Sequence, residues 1–234
     1  MLYKYSIMRI INTILDLIFP VNCLSCGKRG SDLCLKCLSE SPRAERESAL
    51  WIFPIFDYRH PPMKKAIWLL KYKNKKKLAE IFAESLYGAI LEELAERKVM
   101  QNFNEPILIP IPLSPKRRRE RGFNQAELIC QNLIKLDQHP HISDSVNGDI
   151  KNFTLETKVL LKQKETEHQA RIKDRNKRLK NLKDSFSVLN ADKIMNRNII
   201  LIDDVTTTGA TFSEAKKILK YSGAKKIIAF AIAH

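Results

Sequence analysis

The densest chemistry in the chain lies near its carboxyl end. Ile199-Ile200-Leu201-Ile202 is an unbroken apolar run that stops at two acids, Asp203 and Asp204, and continues as Val205-Thr206-Thr207-Thr208-Gly209-Ala210-Thr211. The apolar run reads as a strand buried on both faces. Ligands of open α/β sheets bind at the carboxyl ends of such strands. A helix opening there presents unpaired N–H groups and small hydroxyls, which suit a phosphate. The carboxylates cannot hold that phosphate. They accept hydrogen bonds from vicinal hydroxyls, as on a ribose, or sit beside Mg²⁺. A phosphate cradle with two acids beside it matches a 5-phosphoribosyl group. An N-capping threonine after an ordinary strand accounts for the hydroxyls but not for the adjacent acids. An ATPase strand can also end in paired acids, but it requires a G-x4-G-K-[ST] loop, and the chain has none. It has no G-x-G-x-x-G fingerprint either.

Four cysteines form a second constellation. Cys23 and Cys26 are followed, after seven residues, by Cys34 and Cys37. Each C-x2-C pair presents two thiolates from a tight turn, and Gly27 and Gly30 ease the backbone there. Two pairs make a closed set of four sulfurs, the usual form of structural zinc; iron–sulfur clusters and redox or disulfide pairs are the alternatives. With no open position, such a zinc is structural rather than catalytic. Cys130 shares a helical stripe with Ala126, Ile129 and Leu133 and reads as core. The five histidines show no common spacing and are assigned neither to metal nor to catalysis.

The chain has 234 residues and a net charge of +15. The surplus is concentrated. Lys64 to Lys77 holds seven lysines and no acid, Leu113 to Gln125 is net +4, and Lys151 to Asp184 is net +6. Basic segments of this kind favour phosphorylated ligands or nucleic acid. The plainer readings are a solvated helix end and loop for Lys64 to Lys77, and surface charge for Arg117 to Arg119. There is no run of 18 apolar residues, so no transmembrane helix is expected. The segment Ile7 to Pro20 is interrupted by Arg9, Asn12 and Asp16 and lacks a cleavage site, which argues against a signal peptide. Ile11, Ile14, Leu15 and Ile18 share one face and predict a short amphipathic helix packed on the protein. The expected location is the cytoplasm.

The elements that must position these residues follow from periodicity. Trp51 to Tyr58 is aromatic and β-prone. Helices are expected over Met63 to Leu70, Leu78 to Leu94, Asn124 to Leu136 and Phe212 to Tyr221, the last capped by Gly223. Strands are expected at Ile107 to Ile111, Val159 to Leu161, Phe186 to Leu189, Asn198 to Asp203 and Ile227 to Ile232. Gln138 to Asn152 reads as an irregular connection, and the basic stretch after Ile111 as a loop. Alternating strands and helices predict an α/β fold with a parallel sheet flanked by helices. The expected organisation is an N-terminal helix and four-cysteine zinc-binding module over residues 1–45, then one domain over 46–234. Within that domain, 46–104 is a helical subregion and 105–234 the core sheet.

The segment Asp203 to Thr211 resembles the phosphoribosyl pyrophosphate (PRPP) motif of type I phosphoribosyltransferases. More narrowly, residues 15 to 234 resemble the competence-associated ComF family. Four features occur in order. The first is Phe19-Pro20-x2-Cys23-x2-Cys26 with its second cysteine pair. Ile109 to Ser114 then precedes Arg121-Gly122-Phe123-Asn124-Gln125. Thr166-x2-Gln169 precedes Arg178-x2-Asn181 and Phe186. Last come Asp203, Asp204, Val205, Thr207, Thr208, Gly209, Ala210 and Thr211. The resemblance implies a type I phosphoribosyltransferase-like sheet with an N-terminal four-cysteine zinc knuckle. It implies that Asp203 and Asp204 hold the ribose hydroxyls and that Thr207 to Thr211 cradle the 5-phosphate. The Ser114 to Asn124 segment, with Arg121, then faces the pyrophosphate, and Lys162 to Asn181 corresponds to a mobile catalytic loop. Where family members often carry arginine before the Thr-x2-Gln element, this chain has Lys164, which keeps the charge but loses a bidentate contact.

Two function classes follow. One is a phosphoribosyltransferase that binds PRPP with Mg²⁺ and transfers phosphoribose to an acceptor, with Asp203, Asp204 and Arg121 as catalytic residues. The other is a non-catalytic module that binds single-stranded DNA on the same fold and works with competence proteins in DNA uptake. Trp68, Tyr72 and Phe123, interleaved with the lysines, favour such a surface.

Overall fold

A computed structural model describes residues 20–45, 49–138, 152–163 and 185–234. The expected helix before Pro20, the Thr166 and Arg178 elements and Lys164 lie outside the described residues. In chain order the elements are α1 (Leu35–Ser39), β1 (Ile52–Phe56), α2 (Pro61–Tyr72), α3 (Lys77–Gln101), β2 (Ile107–Pro110), α4 (Pro115–Arg121) and α5 (Gln125–Asp137). Then come β3 (Thr154–Leu155), β4 (Leu160–Lys162), β5 (Phe186–Val188), a 3-10 turn (Ala191–Ile194), β6 (Asn198–Val205), α6 (Ala210–Tyr221) and β7 (Lys226–Ala233).

Five strands form one sheet in the order β1-β7-β6-β2-β3, and every neighbouring pair is parallel. A separate antiparallel ribbon joins β4 and β5. The central strands alternate between two apolar layers. Ile200, Ile202, Ile228, Phe230 and Leu108 pack with α2, α3 and α5 residues such as Leu70, Phe82, Leu86 and Ile129. Their neighbours Ile199, Leu201, Ile227, Ala229 and Ile109 pack instead with Phe212, Ala215 and Leu219 of α6 and with Leu160 and Phe186 of the ribbon. This two-sided burial is why the strand sequences are apolar throughout rather than alternating. Ile199 to Ile202 are fully buried, and each such side chain contributes roughly 1.5–3 kcal/mol.

The helices start and stop for local reasons. Asn124 caps α5 by accepting the Ala126 N–H at 3.1 Å. Asn102 ends α3 in the left-handed region at φ 52°. Gly223, at φ 96°, closes α6, and a Cβ there would lie 2.6 Å from Met195 Sδ. The parallel α/β sheet is as expected, with three differences. The 46–104 stretch also supplies an edge strand, β1, which pairs with β7 through Ile52↔Ala229 and Phe56↔Ala233. The basic segment after Ile111 is not a loop but a short helix, α4: Pro115 sits in its first turn, Ser114 caps it and Gly122, at φ 77°, ends it. The strand β3, two residues long, carries no apolar run to announce it.

All strands of the main sheet end at one edge. There, the β6–α6 turn lies between α4, which follows β2, and the chain leaving β1 and β7.

Candidate functional site

Asp203 and Asp204 stand at the carboxyl end of β6, still within the ladder with β7. Asp204 is buried and Asp203 half-buried. The Asp204 N–H donates to Asp203 Oδ1 at 2.8 Å. Lys71, in the last turn of α2, places its Nζ 2.8 Å from Asp204 Oδ1, with the two side chains only 18% and 9% exposed. Burial, reinforced by the neighbouring Asp204 carboxylate, pushes Asp203 up to about 7, against the pull of Lys71 and Lys162. The lysine at the end of β4, Lys162, feels the converse. Burial and then Arg117 bring its ammonium down to about 8, opposed by Asp203. Asp203 therefore lies within the field of two lysines from separate elements, Lys71 of α2 and Lys162 of β4.

The turn after the acids leads directly into α6. Thr206 is buried, and its N–H is tied to Ala233 O at 2.9 Å. Gly209 takes φ 69° and occupies the cap position of α6, where it has no side chain to accept a hydrogen bond from the helix start. A Cβ on Gly209 would come within 2.8 Å of Ile52 Cδ1. The Thr208 hydroxyl is buried and has no hydrogen-bond partner. Residues Asp203, Thr206, Thr207, Gly209, Ala210 and Thr211 line one shallow recess. A helix start with no side-chain cap from Gly209, at the positive end of the helix, can favour an anion at this recess.

Arg121, at the end of α4, donates to Gln125 Oε1 at 2.9 Å and to Tyr72 Oη at 3.3 Å. Its guanidinium also lies 5.1 Å from the Tyr72 ring centre. Adjacent residues of α2 thus reach the two halves of the site: Lys71 the acid pair, Tyr72 the basic helix. On the exposed face of α2, the Trp68 and Tyr72 rings are 6.0 Å apart. Lys65 and Lys73 flank Trp68 at 4.7 and 5.6 Å, and Lys76 lies 5.0 Å from the Phe123 ring.

The four N-terminal cysteines converge. Their sulfurs all lie within 4.8 Å of one another. The Cys26 and Cys34 sulfurs are 3.8 Å apart, which is about the edge of a tetrahedron whose metal–sulfur bonds are ~2.3 Å. Gly27, at φ 73°, donates its N–H to Cys23 O at 2.9 Å, closing the first turn. Burial opposes ionisation of Cys23, but backbone contacts with Cys26, Cys34 and Ser25 outweigh it and bring the thiol down to about 6. These four cysteines could hold a metal ion. The module is not a free appendage. Cys23, Leu33, Cys37 and Leu38 belong to the same apolar cluster as α2 and α3, and Asp32 pairs with Lys75 at 3.2 Å.

The structure thus brings together Asp203, Asp204 and Thr207 to Thr211, and separately the four cysteines. It connects Arg121 to the acid pair only indirectly, through the Lys71–Tyr72 turn. Sequence reasoning did not single out Lys71 and Lys162. Lys71 is one of seven lysines between Lys64 and Lys77, and nothing local distinguishes it. Lys162 opens the stretch read as a mobile loop, but only the ribbon with β5 shows where it sits.

Among the described residues no helix is long and apolar enough to cross a membrane. No protein-family model matches the chain. It is 29% identical over 215 residues to "Competence protein F" of Haemophilus influenzae, covering 89% of this chain and 83% of that protein. It is 29% identical over 211 residues to "Competence protein ComFC" of Streptococcus pneumoniae, covering 90% and 80%. It is 27% identical over 194 residues to "DNA utilization protein YhgH" of Escherichia coli K12, covering 83% and 74%. Similarity to proteins of these names over most of the chain supports a ComF family protein.

Proposed function

We propose that this protein binds PRPP at the β6–α6 turn, transfers phosphoribose to an acceptor and serves DNA uptake or utilisation. The single observation that carries the ligand is the pairing of two acids with an uncapped helix start and the partnerless Thr208 hydroxyl, all on one turn. The names of the relatives support the DNA-related role. In this reading Asp203 and Asp204 accept hydrogen bonds from the ribose hydroxyls. Thr207, Thr208, Gly209, Ala210 and Thr211 surround the 5-phosphate. Arg121 turns from Tyr72 to the departing pyrophosphate, whose charge it offsets. As the bond to pyrophosphate lengthens, positive charge grows on the ribose, and the two carboxylates stabilise it.

The donors suit Mg²⁺ as an ion carried on the ligand's phosphates, because Lys71 already neutralises Asp204. Bound that way, Mg²⁺ would offset pyrophosphate charge. The cysteine set fits structural zinc by ligand type and sulfur spacing. A thermal-shift series with PRPP and Mg²⁺ tests the reading. Stabilisation that vanishes in Asp203→Asn supports it. No stabilisation at millimolar PRPP refutes it.

A second reading, a single-stranded DNA-binding protein, is favoured by the Trp68–Tyr72 face with its flanking lysines. Base stacking on exposed rings is worth about 1–3 kcal/mol per base and tolerates any sequence. Trp68→Ala with Tyr72→Ala should weaken oligonucleotide binding at least tenfold, and affinity should fall steeply with salt. Binding unchanged by both tests would discard this face.

A further inference from the structure

One tight corner joins the cysteine module to the acid pair. Only Lys73, Asn74, Lys75 and Lys76 stand between α2 and α3. Asn74 takes φ 54°, and the Lys76 N–H donates to Asn74 O at 2.8 Å. No side chain caps the start of α3. The stretch Lys64 to Lys77 has seven lysines and no acid, so its counter-charge must come from elsewhere in the fold. It comes from two places. Asp204 pairs with Lys71 at 2.8 Å, and Asp32 pairs with Lys75 at 3.2 Å.

Asp32 is itself placed by both cysteine pairs. It stands two residues before Cys34, whose N–H donates to Cys23 Sγ at 3.4 Å. Its carbonyl accepts the Leu24 N–H at 2.9 Å, between Cys23 and Cys26. Its side chain is only 12% exposed. The next residue, Leu33, is fully buried and shares an apolar cluster with Leu70 and Leu78, which bracket the corner. Lys71 follows Leu70 directly.

We infer that the metal-loaded cysteine module is a positioning device for the acid pair: Asp32 and Leu33 hold the α2–α3 corner so that Lys71 stays on Asp204. Metal ligation ties the two C-x2-C pairs together and so fixes the segment between them. Asp32 and Leu33 are positioning residues that act through Lys71. The charged groups that face Asp203 are Asp204 of its own strand, Lys71 of α2 and Lys162 of β4, with Arg117 acting on Lys162. When Lys71 leaves, Asp203 loses one of the two cations that favour its ionised form. An anionic ligand then meets a more negative site with a weaker acceptor, and both effects lower its affinity. This ligand half of the inference rests on the phosphoribosyl reading of the β6–α6 turn.

The test uses the full-length protein with and without its metal, and two readouts. One is the NMR titration of the Asp203 carboxyl. The other is calorimetry with ribose 5-phosphate, a probe that needs no Mg²⁺ and so is compatible with metal removal. If release of Lys71 makes Asp203 tenfold easier to protonate, its ionised fraction at pH 7.5 falls from about three-quarters to about one-quarter. Affinity should then fall at least about threefold. Asp32→Asn and Lys75→Met, checked to retain full metal content and folding, should raise the Asp203 titration and weaken binding in the same direction. In a Lys71→Met background, neither metal removal nor Asp32→Asn should have a further effect on either readout. A merely local role for the metal would leave Asp203 and ribose 5-phosphate affinity unchanged, and that result overturns the inference. So do losses of equal size with and without Lys71. If ribose 5-phosphate does not bind the loaded wild type, the phosphoribosyl reading falls, and the Asp203 titration alone decides the positioning.

Discussion

Replacing Lys71 by methionine keeps most of its stem and deletes the cation that pairs with Asp204. The substitution leaves the Asp204 carboxylate, 9% exposed, without its partner at 2.8 Å and still beside Asp203. Removing one member of a buried pair costs about 3–5 kcal/mol, and the 18% exposure of Lys71 argues for the lower end. For a domain of this size, about 3 kcal/mol lowers the melting temperature by roughly 6–12 °C. Asp204→Asn should cost less. It frees a long side chain that can swing to water, and it relieves the repulsion that pushes Asp203 up. The double variant should melt well above the sum of the two losses, with a coupling of roughly 1.5 kcal/mol or more. Chemical denaturation of the four proteins at neutral pH measures this cycle. A Lys71→Met shift of under about 2 °C would mean a solvated pair worth well under 1 kcal/mol. That outcome, or strict additivity, would refute the argument.

Three further outcomes follow. The folded-state pKa of Asp203 is raised, so its contribution to stability is fully present below the ordinary aspartate range and is lost as pH rises toward about 7; Asp203→Asn should flatten that part of the stability–pH curve. Under the proposed function, with Asp203 acting ionised and Lys162 adding positive charge beside it, PRPP affinity should peak between about 7 and 8 and fall on both sides, with the acid limb missing in Asp203→Asn. Zinc chelation should raise hydrogen exchange over residues 20–41 and at the α2–α3 junction, because Leu33 and Leu38 share a core with Leu70 and Leu78, while β2, β6 and β7 stay protected; native protein without zinc would remove this claim.

Much of this arrangement is legible in the amino-acid order because the relevant signals are local. The run Ile199 to Ile202 announces a strand buried on both faces, and the acids and threonines after it announce a turn at its carboxyl end. The two C-x2-C pairs bring four sulfurs together because each spans a single tight turn. What escaped is non-local. Lys71 reaches Asp204 only because tertiary packing sets the last turn of α2 beside the carboxyl end of β6, a placement no periodicity reports. The strand β1 joins β7 across almost the whole chain, so an aromatic stretch between polar segments gives no hint of its partner. α4 was concealed by its composition: its run of arginines carries no apolar stripe, and its seven residues are set by Ser114, Pro115 and Gly122 rather than by a buried face.

The central claim is that Asp203 and the β6–α6 turn hold a phosphoribosyl group. Its most direct test is calorimetric titration of PRPP with Mg²⁺ into wild type and Asp203→Asn at pH 7.5. A hydrogen bond to a charged group contributes about 1.5–3 kcal/mol, so the wild type should bind saturably at one site per chain and the variant roughly 10- to 150-fold more weakly. No saturable binding to the wild type, or equal affinity in the two proteins, would contradict the account.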